Sequence, residues 1–310
     1  MVVTPTDLDT IIDGLLLPEK MISPKYFYDE RGSQLFDQIT HLPEYYPTET
    51  ELGIMQDNMD EIVELVGEHA SLIEFGSGSS RKTRALLGSL SDLAAYVPVD
   101  ISEDHLLESS AQVQREFPDL EVLPVVADFT HPFSLPNPKF TPLKNIVYFP
   151  GSTIGNYTHD AAHDLLNVMF QEAGENGALL IGVDLRKDIA IIERAYDDSA
   201  GITAAFNLNM LRHLNEEFGF DFDLSCYTHN SHYNEAEGRI EMRLISSCEQ
   251  VITAGDAEIL VGDGEAILTE YSHKYTLDGF QKMASNAGFE VERVWTDSNA
   301  LFSVQYFVRA

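Results

Sequence analysis

The sequence predicts an α/β protein, a parallel sheet covered by helices on both faces and interrupted by an α+β insertion. Three observations predict it. From about residue 55 to 185, short apolar runs that stop at Gly or Asp alternate with helical patterns. Strands separated by helices imply right-handed βαβ crossovers and a parallel sheet buried on both faces. From about 204 to 273 the alternation gives way to one helix and then consecutive strand-like runs with tight turns. From 277 to 308 a helix and two strands resume the first pattern, so they are expected to close the earlier sheet.

Taken in order, residues 1–50 read as helices and loops crowded by Tyr26, Phe27, Tyr28, Phe36, Tyr45 and Tyr46. This arm is expected to pack on the insertion, with most of its aromatics in a core. Glu51–Val66 reads as a single helix. Leu72–Phe75 is an apolar run that stops at Gly76, and Arg81–Leu90 reads as the helix after it. Ala94–Val99 is a strand ending at Asp100, His105–Glu116 a helix, and Val122–Ala127 a strand ending at Asp128. Asn145–Phe149 is a strand running into Pro150-Gly151-Ser152. Asp160–Glu172 is a helix, and Ala178–Val183 a strand ending at Asp184.

Ala204–Phe218 opens the insertion, with Leu211, Leu214 and Phe218 on one helical face. The runs Phe222–His229, Arg239–Ser246, Glu249–Thr253 and Ala266–His273 then read as an antiparallel meander. Ala254-Gly255-Asp256 and Gly262-Asp263-Gly264 supply turn signals. Leu277–Ala287 is a helix, and Glu290–Trp295 and Phe302–Val308 are strands.

Composition narrows the function classes. The chain has 310 residues, 44% of them apolar, enough for one large domain or two modest ones. Nineteen Lys+Arg stand against 51 Asp+Glu, a formal charge of -32. A surface so negative repels phosphates, which disfavours nucleic acid and anionic membranes, whereas it attracts a cationic small ligand. An acidic surface also helps solubility in a salt-rich habitat, and the charge alone does not separate the two readings. Cys226 and Cys248 are too few for a disulfide framework, and they form no Cys-x-x-Cys pair. The N-terminus lacks a basic region followed by an apolar run, and no run of ~20 apolar residues is present, so neither signal peptide nor membrane helix is expected. The expectation is a soluble, cytoplasmic monomer.

The chemistry concentrates at the carboxyl ends of the expected parallel strands. Glu74-Phe75-Gly76-Ser77-Gly78-Ser79-Ser80 joins the first strand to the first helix, where glycine lets the backbone turn sharply and approach a ligand. Asp100 follows Gly78 by 22 residues, the distance at which an acid meets a ribose diol. Asp128 ends the third strand, where an adenine amino group would arrive. A dinucleotide fingerprint wants a third glycine where Arg81 stands, which disfavours a nicotinamide-dependent oxidoreductase. S-adenosylmethionine (SAM) needs no pyrophosphate cradle and favours an acid before the glycines, and Glu74 supplies it. The plain alternative is that Gly76 and Gly78 only shape a turn.

The sequence resembles the SAM-dependent L-histidine Nα-methyltransferase family, the hercynine-forming enzymes of ergothioneine biosynthesis. The resemblance runs along nearly the whole chain. It is carried by Pro24-Lys-Tyr-Phe-Tyr-Asp-Glu-Arg-Gly-Ser33, Leu42-Pro-Glu-Tyr-Tyr-Pro-Thr48, Glu74-Phe-Gly-Ser-Gly-Ser-Ser-Arg-Lys-Thr-Arg84, Gly151-Ser-Thr-Ile-Gly-Asn156, the block Ala195–Asn207, Arg239-Ile-Glu-Met242 and Thr269-Glu-Tyr-Ser272. The fold implied is a Rossmann-like SAM methyltransferase sheet with an inserted α+β substrate-binding domain. Residues 51–186 and 274–310 would form the methyltransferase domain, and 1–50 with 187–273 the substrate domain.

The resemblance implies that Gly76, Lys82, Asp100, Asp128 and Phe129 line the SAM site. It implies that Asn156 and Tyr196 hold the substrate carboxylate, that Glu270 and Ser272 read the imidazole ring, and that Tyr45 and Met242 lie beside the substrate. Tyr28 matches a tyrosine near the reacting amine. The implied reaction is three successive methyl transfers to the α-amine of L-histidine. Departures are Tyr271, where a smaller apolar residue is common, and the strong negative charge.

The chemistry of these side chains agrees with those roles. An amide and a phenol suit a carboxylate. A carboxylate and a hydroxyl two residues apart on a strand face the same way and can pair with both imidazole nitrogens. Each residue also has a plainer reading: Lys82 as a solvated lysine, Met242 as core, Tyr45 and Tyr46 as a buried aromatic pair. His229 and His232 point to opposite strand faces and no third ligand is evident, so no metal is expected. Asp197-Asp198 reads as a cap or turn. The alternatives in function are an Nα-methyltransferase for another aromatic amino acid such as tryptophan, and a binding protein without turnover.

Overall fold

The computed structural model describes residues 5–77 and 81–310. It divides into two compact units, one of Pro47–Arg186 with Lys274–Ala310, the other of the chain up to Tyr46 with Lys187–His273.

The first unit is built on a seven-stranded sheet. Its strands lie in the order Phe289–Thr296, Phe302–Arg309, Ala178–Asp184, Lys144–Phe149, Ala70–Phe75, Leu93–Asp100 and Val125–Val126. The last five run parallel, and Phe302–Arg309 is antiparallel to both its neighbours. Alternation explains why both faces are dry. Leu179, Ile181 and Val183 join one apolar cluster, while Ala178 and Leu180 join the other. Strand order reverses between Ala70–Phe75 and Lys144–Phe149, and ligands of open parallel sheets bind outside the carboxyl ends at such a switch.

The expected helix over 51–66 is two helices, Tyr46–Asp57 and Met59–Val66. Asn58 breaks it with non-helical angles (φ −123°, ψ 17°) while its amide donates to the Ile54 carbonyl at 2.7 Å. The expected strand over 122–127 shrinks to Val125–Val126 plus one isolated bridge from Val122 to Tyr96. Pro124 has no N–H to give a ladder.

The second unit holds a four-stranded sheet in the order Lys20–Met21, Ala266–His273, Arg239–Ser246 and Tyr227–Asn234. The meander is not consecutive. Gln250–Ala254 and Ala257–Val261 form a separate two-stranded hairpin, and Ala266–His273 returns to pair with Arg239–Ser246. Gly255 turns that hairpin at φ +59°, a conformation that favours glycine. The expected strand over 222–229 begins later, at Tyr227. Before it Asp223 accepts from Ser225 N at 3.0 Å and Ser225 Oγ at 2.7 Å, which winds Leu224–Cys226 into a short 3₁₀ turn. Cys226 and Cys248 are joined as a disulfide with Cα atoms 5.9 Å apart, a pairing absent from the sequence reading.

The helix Ile202–Phe218 packs against the strands Tyr227–Asn234 and Arg239–Ser246, starting where Asp198 accepts from the backbone N–H of Ala200, Ile202 and Thr203. Burial alone would raise the Asp198 carboxyl, but these bonds hold it below the usual range. Ile189–Tyr196 is a second helix of the unit. No helix among the described residues is long and apolar enough to cross a membrane.

Candidate active site

In the first unit, the carboxyl ends of three strands converge. Gly76 leaves its strand at φ +74°, and its N–H bonds the Val99 carbonyl at 2.9 Å, one residue before Asp100. The Ala127 N–H bonds the Asp100 carbonyl at 3.0 Å, which brings the Asp128–Phe129 segment alongside. A Cβ on Gly76 would reach the Phe129 ring edge at 3.6 Å and fill the gap that glycine leaves. The Phe129 ring packs on Phe75 with centroids 5.4 Å apart. Gly76, Asp100, Asp128 and Phe129 therefore form one patch; Gly78, Ser79 and Ser80 lie outside the described residues.

Asp100 is half-buried and its Oδ1 accepts from Ser102 N at 2.9 Å. Burial raises its carboxyl, partly offset by that bond. Asp128 is exposed, held by Thr130 N at 3.0 Å and Thr130 Oγ1 at 2.6 Å. These donors fix two carboxylates with acceptor capacity left over, the arrangement a diol and an amino group require.

Glu74 lies beneath the patch, not in it. It is 1% exposed and accepts from Thr83 Oγ1 at 2.6 Å and from the Tyr96 hydroxyl, bracing the helix Arg81–Ser89 to the strand Leu93–Asp100. Burial pushes its carboxyl up to about 7, against the pull of those two donors. The folded value is above the unfolded one, so Glu74 contributes stability in acid and loses that contribution as pH rises from about 4.5 through 7. Between pH 5 and 8, urea unfolding of the wild type should lose about 2 to 3 kcal/mol more than that of Glu74→Gln. Parallel pH curves would show that Glu74 is ionised throughout.

Lys82 is not a solvated lysine. It is 7% exposed, and its ammonium donates to Glu51 Oε2 at 2.6 Å. The same oxygen accepts from Gly151 N at 2.8 Å, in the loop that leads to the 3₁₀ turn Thr153–Asn156. Asn156 ends that turn, half-buried. Sequence reading missed Glu51. Its signal was position: Pro47, Glu51, Ile54 and Met55 share the buried face of one helix.

In the second unit, Glu270 and Ser272 lie on one face of the strand Ala266–His273. Glu270 stands opposite Met242, which is buried in the unit's apolar core. A bulge between Leu268 and Glu270 resets the register there. Ser272 Oγ is 2.7 Å from the Tyr196 hydroxyl, so the group expected at the carboxylate and the group expected at the ring are hydrogen-bonded neighbours. Tyr271 faces the other way, where Arg239 lies 3.8 Å over its ring. The aromatic arm continues the Tyr196 wall. Tyr45 packs edge-on against Tyr196 at 6.2 Å, Phe36 against Tyr45 at 6.3 Å, and Tyr28 against Phe36 at 5.8 Å. Tyr28 keeps 41% of its surface exposed, whereas Tyr26 and Phe27 are core.

His229 was also missed as a member of this cluster. Its Nε2 donates to the Tyr196 carbonyl at 2.8 Å, and its Nδ1 accepts from Asn207 Nδ2 at 2.9 Å. Burial holds its pKa below the usual imidazole value, against the pull of the Tyr196 carbonyl. A neutral ring of fixed tautomer thus anchors the end of the helix that carries Tyr196.

A sequence model described as histidine-specific methyltransferase, SAM-dependent, matches residues 7–309. The chain belongs to that methyltransferase family. A histidine N-alpha-methyltransferase of Mycolicibacterium smegmatis is 39% identical over 302 residues, covering 96% of this methyltransferase and 92% of its relative. That of Mycobacterium tuberculosis is 37% identical over 300 residues, covering 95% and 92%. The solved structure of a SAM-dependent methyltransferase from Clostridium acetobutylicum gives a TM-score of 0.52 at 10% identity, covering 89% of this chain and 99% of that one, a likeness of fold. The Rossmann-like methyltransferase fold expected from sequence is the one observed. The methyltransferase's first unit fits the cofactor on its own geometry: a glycine gap under Phe129, two strand-end carboxylates, and a buried ammonium held at the neighbouring strand end.

Proposed function

We propose that this methyltransferase transfers methyl groups from SAM to the α-amine of L-histidine, three times in succession, giving the trimethylated betaine used in ergothioneine biosynthesis. One observation carries the substrate reading beyond family membership. Glu270 and Ser272 project from the same strand face, and Ser272 is tied to Tyr196, an arrangement that supports a carboxylate and a hydroxyl pair that would face a small polar ring. Gly76, Asp100, Asp128, Phe129 and Lys82 would hold SAM, which supplies an electrophilic sulfonium methyl when bound. Asp100 would accept from the ribose hydroxyls, and Lys82 would meet the carboxylate of the methionine end.

The chain's own work is orientation. Asn156 and Tyr196 would hold the substrate carboxylate, and Glu270 and Ser272 the ring nitrogens, with Tyr45 and Met242 flanking. Gripping the substrate by both ends leaves its amine free to change from primary to tertiary without being re-read. Tyr28 would orient the neutral amine's lone pair or relay its proton, and its ring face tolerates the cation that forms. The protein would act in the cytoplasm as a monomer, on a free zwitterion rather than on nucleic acid or membrane.

The test is direct. The protein is incubated with SAM and each free amino acid in turn, and products are followed by mass spectrometry. Stepwise methyl additions to histidine alone are expected. Additions to tryptophan alone would replace histidine by the alternative substrate, and no additions at all would leave only a binding role.

A further inference from the structure

Glu51 is 1% exposed, on the buried face of the helix Tyr46–Asp57. Its Oε2 accepts from Lys82 Nζ at 2.6 Å and from Gly151 N at 2.8 Å, while its Oε1 is buried with no hydrogen-bond partner. The sheet makes room for that oxygen, since a Cβ on Gly182 would stand 2.0 Å from it. Gly151 takes φ +80°, a conformation that favours glycine, and so presents its N–H to Glu51 beside the ammonium.

A buried ion pair with one oxygen unsatisfied is a poor device for stability, because apolar side chains of similar volume would pack there without desolvating charge. Its geometry is better explained by what it holds. A lysine on a four-carbon stem loses rotamer freedom each time it is drawn to a ligand. One hydrogen bond donated to Glu51 fixes the stem beforehand and leaves the ammonium's remaining donors for an incoming anion.

We propose that Glu51 is a positioning residue: it aims the Lys82 ammonium at the carboxylate of the cofactor's methionine end, and ties that lysine to the Gly151 loop. The proposal rests on Lys82 being the cofactor's lysine, so its test must separate the two.

Binding of S-adenosylhomocysteine and of 5′-methylthioadenosine, which lacks the amino-acid end, is measured by calorimetry. The proteins are the wild type, Glu51→Asp, Glu51→Gln, Lys82→Met and Glu51→Gln/Lys82→Met. Both Glu51 variants should weaken S-adenosylhomocysteine about tenfold, a loss of about 1.4 kcal/mol, and leave 5′-methylthioadenosine within about twofold. The double variant should match Lys82→Met within about threefold, because Glu51 acts through the lysine. Glu51→Asp keeps the charge and shortens the reach, so it carries the test even where Glu51→Gln does not fold. Equal losses for both ligands, unchanged S-adenosylhomocysteine affinity in the Glu51 variants, or losses that multiply in the double variant would overturn the role of Glu51 alone. An unaffected Lys82→Met would remove the cofactor lysine and this proposal with it.

Discussion

Replacing Asp100 by alanine is expected to weaken S-adenosylhomocysteine on the order of 100-fold, the largest cofactor effect among single substitutions in the first unit. The proposed site asks Asp100 for two hydrogen bonds to a vicinal diol, each strengthened by the carboxylate's charge. Bonds to a charged group contribute about 1.5 to 3 kcal/mol apiece, so even at the lower end two of them amount to about two orders of magnitude. The side chain has a structural duty too, because its Oδ1 accepts from Ser102 N at the start of the helix Glu103–Glu116. Asp100→Asn keeps an oxygen for that turn and an acceptor for one hydroxyl, so about a tenfold loss is expected from it. Calorimetry with S-adenosylhomocysteine, alongside a thermal melt of each variant, checks the pair. A melt lowered in Asp100→Ala but not in Asp100→Asn, with affinity unchanged in both, would assign Asp100 to the turn and not to the ribose.

The parts of the fold legible in the sequence are those whose signal is local and repeated. Ala178–Asp184 alternates between two apolar clusters, so its seven residues announce a strand buried on both faces. Asp198 sits one short turn before a long amphipathic helix, and it does cap that helix. What escaped was set by tertiary partners. Lys20–Met21 is two residues long, and it is a strand only because Ile267 and Leu268 lie beside it. The disulfide joins residues 22 apart, with no spacing that marks them. Pro124 was visible, but an apolar run around it outweighed the missing N–H in the reading of 122–127.

The candidate site divides in the same way. Glycine turns and strand-end acids at 76, 100 and 128 follow from the physics of parallel sheets. The roles of Tyr196, Glu270 and Ser272 came from resemblance; alternation adds only that 270 and 272 share a face. Glu51 was hidden because a glutamate in a helix usually marks a solvated side. Its place on the buried face with Pro47, Ile54 and Met55 was the one local sign, and the absence of a side chain at Gly182 leaves room for it over the sheet.

Glu270→Ala is expected to lower kcat/KM for histidine about 100-fold while S-adenosylhomocysteine affinity stays within about twofold. Glu270 is half-buried on its strand, and the bulge after Leu268 places it opposite Met242 rather than the next residue along. An imidazole N–H facing that carboxylate gains a charge-assisted bond; facing alanine, it is desolvated against an apolar wall. The loss therefore includes the unmet donor as well as the missing attraction, as happens when a site built for a polar group loses its partner. Glu270→Gln retains an acceptor without the charge, so about a tenfold loss is expected. The same substitution bears on the tryptophan alternative, because an indole presents only one N–H and no acceptor nitrogen. A variant that gained on tryptophan while losing on histidine would show Glu270 selecting between rings. Equal losses of histidine turnover and cofactor binding would instead make Glu270 a support of the fold, and the ring-reading role would have to be sought elsewhere on the strand face shared by Ser272 and Met242.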